Sequence, residues 1–303
     1  EVTEICDSLV VFRNGETVGI MDFSHEEKNV KKIVSLITGE ESDDLTYFHT
    51  DQEKPKARQE TPSLEVKILS GKEDRHQLNL KLYPGEIVGL SGLQGQGQPE
   101  LLLTLFGAKP YTGELRMNGE MLNLHHPLDA ILAGIVFVPG ERQQEGIFSN
   151  HSIFLNIIYP EVAKRKKNSF LNYKKYRNAV DEIIKQLSIT PGNQSMLLNQ
   201  LSGGNQQKVV FGKWLFENPT IMLLDDPTKG VDINAKSELF EILNGLATQG
   251  STIFIYSSDN EELLSICNRV LVMFEGDIVE EISGNRLTED TLIAAALRGK
   301  HEN

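Results

Sequence analysis

LSGGNQQKVVFGKWLFENPTIMLLDDPTKGVD, residues 201–232, sets a glycine turn, a helix, a short apolar strand and a carboxylate pair in one uninterrupted run. Ser202, Gly203 and Gly204 stand where the helix begins. The first backbone N–H groups of a helix lack partners inside it, and they point outward with the positive end of its dipole. Such a turn fits phosphate. Two glycines let the backbone approach a ligand closely, and Ser202 adds a hydroxyl. Val210 with Trp214 and Phe211 with Leu215 pair at i,i+4 spacing, which predicts a helix with one buried face, ended before Pro219. Residues 220–224 then read as a strand of a doubly covered parallel sheet. That strand delivers Asp225 and Asp226 to the carboxyl edge, where such sheets bind ligands.

A second glycine turn lies upstream. Residues 86–97, EIVGLSGLQGQG, read as a strand entering a glycine-rich loop, followed by a helix at 99–106. Gly92 and Gly97 take the glycine positions of the phosphate-loop pattern G-x-x-x-x-G-K-[ST]. Gln98 then stands where lysine should reach phosphate, and Pro99 where a hydroxyl should hold Mg²⁺. Gln98 is neutral, and Pro99 has neither hydroxyl nor N–H. Gly92, Gly95 and Gly97 can still offer backbone amides to a phosphate; a purely structural turn is the competing reading. Short alternating runs at 64–69, 77–82 and 114–117, separated by turns, predict antiparallel strands at the start of this domain.

The 303 residues exceed one average domain, and 39% hydrophobic with 24% charged residues is ordinary globular composition. A net charge of −13 argues against a nucleic-acid partner, which needs clustered Lys and Arg. Apolar runs fall far short of the roughly 18 residues of a membrane span. The chain starts at Glu1, without a signal peptide, and is expected to be a portion of a longer protein. Two cysteines, Cys6 and Cys267, each begin an apolar stretch and are expected to be buried thiols rather than a disulfide or metal site.

Those cysteines expose an internal repeat. ICDSLVVFRNGETV around Cys6 aligns without a gap on ICNRVLVMFEGDIV around Cys267, and a helix-like stretch ending at Gly39 matches one ending at Gly299 with one residue of slippage. Residues 1–39 are therefore expected to be the tail of a first domain of the same kind, 62–303 a complete second one, and the polar segment 40–61 a linker.

LSGGNQQK followed by IMLLDDPTKGVD resembles the signature motif, Walker B strand and D-loop of an ATP-binding-cassette ATPase. The Asn205 variant and the Gly230-Val231-Asp232 D-loop resemble the branch that energises bacterial monosaccharide importers. The resemblance implies an α/β fold: a P-loop core sheet, an antiparallel β subdomain, and a helical subdomain at about 145–215. It implies ATP and Mg²⁺, with Asp225 as metal ligand, directly or through water. It implies that Gly92, Gly95, Gly97 and Gln98 face nucleotide on one side, and Ser202, Gly203, Gly204 and Asp232 on the other. The family sandwiches ATP between the P-loop of one cassette and the signature of another, so the expected partner is the first cassette of the same protein or a second copy. Transmembrane permease subunits, and indirectly a periplasmic or extracellular sugar-binding protein, are implied at the cytoplasmic face of the bacterial inner membrane. The chain departs from the pattern at the catalytic positions. Asp226 replaces a glutamate general base, Ser258 replaces a histidine beside the γ-phosphate, and Gly140 replaces the Q-loop glutamine. Glu141 and Arg142 are read as a remnant acidic-basic cluster, with a surface ion pair as the alternative. No aromatic residue for adenine stacking occurs in 64–80. Basic clusters at 164–167 and 174–177 could meet permease loops or lipid headgroups. His125 and His126 read as loop residues. Nucleosides or signalling furanoses are alternative solutes; a soluble cassette protein acting on ribosomes or DNA is the alternative of another class.

Overall fold

The computed structural model describes residues 6–13, 16–23, 32–33, 36, 61–70, 76–164 and 173–298. The chain divides into two compact units, Glu1–Asp51 and Gln52–Asn303. In the first, β1 (Ser8–Arg13) and β2 (Glu16–Asp22) form an antiparallel hairpin. Cys6 is exposed, contrary to the buried thiol expected from its apolar neighbours. The expected linker lies outside the described residues except for Thr61.

The larger unit opens with β3 (Leu64–Ser70), β4 (His76–Leu82) and the phosphate-loop strand β5 (Ile87–Ser91). Helix α1 (Gln98–Leu105), β6 (Thr112–Met117), β7 (Glu120–Leu122), α2 (Pro127–Leu132) and β8 (Ile135–Val138) follow. Next come a π-helical turn at Arg142–Gly146 and helices α3 (Ile153–Ala163), α4 (Tyr173–Gln186) and α5 (Gly203–Leu215). The remaining elements are β9 (Ile221–Asp225), α6 (Ile233–Thr248), β10 (Thr252–Tyr256), α7 (Asn260–Ile266), β11 (Arg269–Phe274), β12 (Asp277–Ser283) and α8 (Glu289–Arg298).

Two sheets result. The six-stranded sheet runs β12-β11-β5-β10-β9-β8, parallel throughout except for β12 at its edge. Strands β5, β8 and β10 are wholly buried, as continuous apolar strands covered on both faces must be. The antiparallel sheet runs β4-β3-β6-β7, where the alternating runs predicted it. Its inner residues Leu64, Val66, Leu80, Leu82 and Leu115 share one core with α1, while α3, α4 and α5 pack into another.

One local feature differs from expectation and another adds to it. Helix α5 is buried nearly all round, from Gly204 to Leu215 with Asn205 excepted, because it runs beneath α3, α4 and α6 rather than lying on a surface. His126, in the loop before α2 as expected, also caps that helix: its Nδ1 accepts from the N–H of Leu128 at 3.1 Å, and Asp129 closes the capping box.

Candidate functional site

Strand β5, held between β10 and β11, carries the chain straight into the loop 92–97. Gly92 adopts φ +141°, and a Cβ there would lie 2.4 Å from the carbonyl oxygen of Met273, so only glycine fits. The loop is tied to the β11–β12 turn: Glu275 N–H donates to Gln96 Oε1 at 2.6 Å, and Gly276 N–H to Gln96 O at 2.9 Å. Gln98, the first residue of α1, is fully buried. Its Nε2 donates to the carbonyl of Leu93 at 3.0 Å, while its Oε1 is buried without a partner. The side chain thus folds back across its own loop. A buried amide oxygen is an acceptor, and where lysine would attract phosphate it repels.

Asp225 ends β9, and burial pushes its carboxyl up to about 6, helped by the nearby charges of Asp226 and Glu145; a hydrogen bond from the backbone of Gly140 opposes the shift. Asp226 has φ +42°, an uncommon conformation for a non-glycine residue, and its N–H donates to Tyr256 O at 2.8 Å. Ser258 Oγ donates to Asp226 Oδ2 at 2.8 Å. Burial raises the Asp226 carboxyl too, with the Ser258 hydrogen bond working against it. The structure therefore joins to each other the two residues expected at the catalytic positions. One oxygen of the Asp226 carboxyl is thus taken up by the Ser258 hydroxyl.

The signature turn is arranged differently. Ser202 caps α5, its Oγ accepting from Asn205 N–H at 3.4 Å and from Asn205 Nδ2 at 3.0 Å. Gly204 packs under α6, where a Cβ would meet that of Ala235 at 2.9 Å and Asp232 Oδ2 at 3.3 Å. Asp232 caps α6 through Ala235 N–H at 3.0 Å. Beneath the turn, buried Gln206 donates to Leu198 O and Leu201 O and accepts from Gln143 Nε2 at 2.6 Å, so its amide is fully used. Farther along α5, Lys213 is buried, donates to Gly146 O at 2.6 Å, and is lowered by burial to about 8.

The sequence reading missed Glu262. Although acidic, it is buried, and its Oε2 accepts from Thr228 Oγ1 at 2.6 Å and Ser257 Oγ at 2.7 Å while Oε1 pairs with Lys236 at 2.5 Å. It joins the loop after β9 to the loop after β10. No spacing rule marks it, since it looks like a first-turn acid of α7. Cys267 is buried, as expected, and burial pushes its thiol up.

Residues 75–229 match the model of the ABC transporter family. This chain belongs to that family. It is 36% identical over 302 residues to the ribose import ATP-binding protein RbsA 1 of Mesorhizobium japonicum, covering 98% of this chain and 57% of the relative. To the ribose import ATP-binding protein RbsA of Geobacillus kaustophilus it is 33% identical, covering 99% of this chain and 59% of that one. The ABC chain described here thus spans little more than half the length of these curated relatives. Among solved structures, an ATP-binding cassette of an ABC transporter in its ADP conformation superposes with a TM-score of 0.65 at 19% identity, covering 78% of this chain and 99% of that one. The cbiO1 protein of Clostridium perfringens gives 0.63 at 23% identity, over 78% and 94%. These share the P-loop cassette fold with its antiparallel subdomain.

The family binds ATP, and the residues present fit it unequally. Backbone amides in both glycine turns suit phosphate oxygens, but the P-loop adds no cation. For Mg²⁺, Asp225 offers a carboxylate at the end of β9, whereas Pro99 and Gly140 offer no side-chain oxygen. Among the described residues no group of three His, Cys, Asp or Glu side chains is arranged to hold a metal.

Proposed function

We propose that the chain is the second nucleotide-binding domain of a tandem ATPase subunit that energises a bacterial monosaccharide importer. It supplies an intact signature half-site to a partner cassette and a degenerate P-loop half-site of its own. The observation that carries this reading is the contrast between the Ser202-Gly203-Gly204 turn, capped by the Ser202 hydroxyl, and the loop that Gln98 folds back across with its amide oxygen unpartnered. ATP bound by the partner's P-loop would rest its γ-phosphate on the signature turn, with Asp232 close by. In the chain's own half-site, Asp225 would hold Mg²⁺ directly or through water, and Asp226 would activate water poorly.

The hairpin of the smaller unit supports the tandem arrangement. Its register matches that of β11–β12 at a constant separation of 261 residues, Ser8 with Asp22 against Arg269 with Ser283, and both hairpins break register at the equivalent step. Phe12 is 66% exposed where its counterpart Met273 is 2% exposed, and Val10 is 45% where Leu271 is 2%. In the larger unit β5 pairs with β11, and the body that would cover β1 belongs to a first cassette. The names of the relatives support ribose or a related sugar as solute. The working place would be the cytoplasmic face of the inner membrane, docked on permease subunits that receive sugar from a binding protein; no described helix is long and apolar enough to cross a membrane.

The isolated chain should hydrolyse ATP negligibly in a phosphate-release assay. Turnover near that of an intact importer ATPase, abolished by Asp225→Asn, would overturn the degenerate half-site.

A further inference from the structure

Arg142 is not paired with its neighbour Glu141. Glu141 instead reaches Lys229 Nζ at 2.6 Å, and Arg142 Nη1 donates to the backbone carbonyl of the same Lys229 at 3.1 Å. The other guanidinium nitrogen lies against the signature turn: a Cβ on Gly203 would stand 2.8 Å from Nη2 and 3.7 Å from Gly230 O. Arg142 therefore touches two loops at once, the turn that opens α5 and the loop that leads from β9 to α6. The adjacent residues reinforce this, with Gln143 on Gln206 and Gly146 O on Lys213. The π turn is thereby fastened to the signature helix and D-loop, whereas the P-loop is fastened to the β11–β12 turn.

We propose that Arg142 is a positioning residue for the signature half-site, holding Gly203 and the D-loop carbonyl in one geometry so that the turn's amides meet the partner's phosphate together. The proposal rests on the half-site assignment made above. A planar guanidinium is suited to this because its donors form a rigid fork; a lysine ammonium can occupy one of the two places but cannot span both. Gly203 leaves the room that the fork fills, and Arg142 Nε is buried with no partner, so the side chain has been drawn in by its far end rather than along its length.

The test uses the complete ATPase subunit assembled with its permease. Arg142→Lys and Arg142→Ala should each lower kcat for ATP hydrolysis at least tenfold while KM for ATP changes less than threefold, because the defect lies in arranging bound nucleotide rather than in capturing it. Glu141→Ala, which removes only an exposed ion pair, should stay within twofold in both constants. Wild-type kcat in Arg142→Lys overturns the proposal, as does a loss confined to KM, or an equal loss in Glu141→Ala. If Arg142→Ala melts early, Arg142→Lys alone decides. The signature assignment is tested separately by Ser202→Asp: a harmless Ser202→Asp sinks that assignment, whereas a damaging Ser202→Asp beside a harmless Arg142→Lys sinks only the role of Arg142.

Discussion

The two glycine turns of the larger unit, 92–97 and 202–204, present the same backbone device and support it in opposite ways. Each puts unpaired N–H groups at the start of a helix beside a parallel sheet. At the signature, every side chain below the turn is used: Ser202 caps, Asn205 returns to it, and Gln206 spends its whole amide on the turn and on Gln143. At the P-loop, Gly97 leaves α1 without a side-chain cap, and Gln98 closes the loop with one hydrogen bond while orphaning its other amide atom. The helix N-terminus is kept at both turns, and at the P-loop Gly92 and the strand β5 beneath it are fixed by packing. A glycine pattern reports loop geometry; the residues that follow it report whether phosphate is served.

The most damaging way to break this comparison is Ser202→Asp in the complete subunit with an intact partner cassette. Aspartate caps a helix as well as serine and suits its N-terminus, so the melting temperature should hold. The hydroxyl donor is lost and a like charge faces the γ-phosphate. Losing a hydrogen bond to a charged group costs about 1.5–3 kcal/mol, so hydrolysis should fall by about tenfold to a hundredfold. Unchanged turnover would mean that this turn does not meet nucleotide.

Much of this was legible in the sequence. The run 201–232 gave the order helix, strand, carboxylates, and the structure sets Asp225 at the end of β9 as the apolar run ending at Leu224 predicts. Alternation placed β3, β4 and β6, since period-2 burial on one face leaves a direct trace. The hairpin repeat was visible because register is written into spacing. What stayed hidden depends on partners distant in sequence. Arg142 lies 87 residues from Lys229 in its hydrogen bond, and Thr228 lies 34 from Glu262, so neither link leaves a local pattern. Cys6 misled because an apolar strand promises burial only when something covers it.

A middling effect is expected from Asp225→Asn, read as stability against pH. Burial raises the Asp225 carboxyl from 3.8 to about 6, so the native state binds its proton more tightly than the unfolded chain. The cost of ionising it is absent below about pH 4, grows as pH rises through the interval to about 6, and is fully present at pH 7. A shift of about two units corresponds to about 3 kcal/mol, which partial exposure reduces to about 1–2 kcal/mol. Asparagine keeps an acceptor for Gly140. The variant should therefore melt about 2–6 °C higher than the parent at pH 7.5, and level with it near pH 4. A lower melting temperature at pH 7.5 would show that the ionised carboxylate is held by favourable partners, and that this edge of the sheet is not the strained one.

The smallest effect should come from Gln98→Ala, and its smallness is the point. The substitution removes one hydrogen bond to Leu93 O, worth about 0.5–1.5 kcal/mol net, together with a buried unpaired oxygen whose presence costs about 1–3 kcal/mol. A small cavity offsets part of the relief, so the melting temperature should move by no more than about 3 °C in either direction. In the complete subunit hydrolysis should stay within about twofold, since no productive phosphate contact is lost. Gln98→Lys sharpens the same question, because it restores the cation that the loop lacks but leaves Pro99 and Asp226 in place. Nucleotide affinity of the isolated chain should rise without turnover, which equilibrium binding beside a phosphate-release assay separates. If Gln98→Ala instead abolished hydrolysis in stable, membrane-assembled protein, the amide that closes this loop would be serving nucleotide, and the two turns would be equal halves after all.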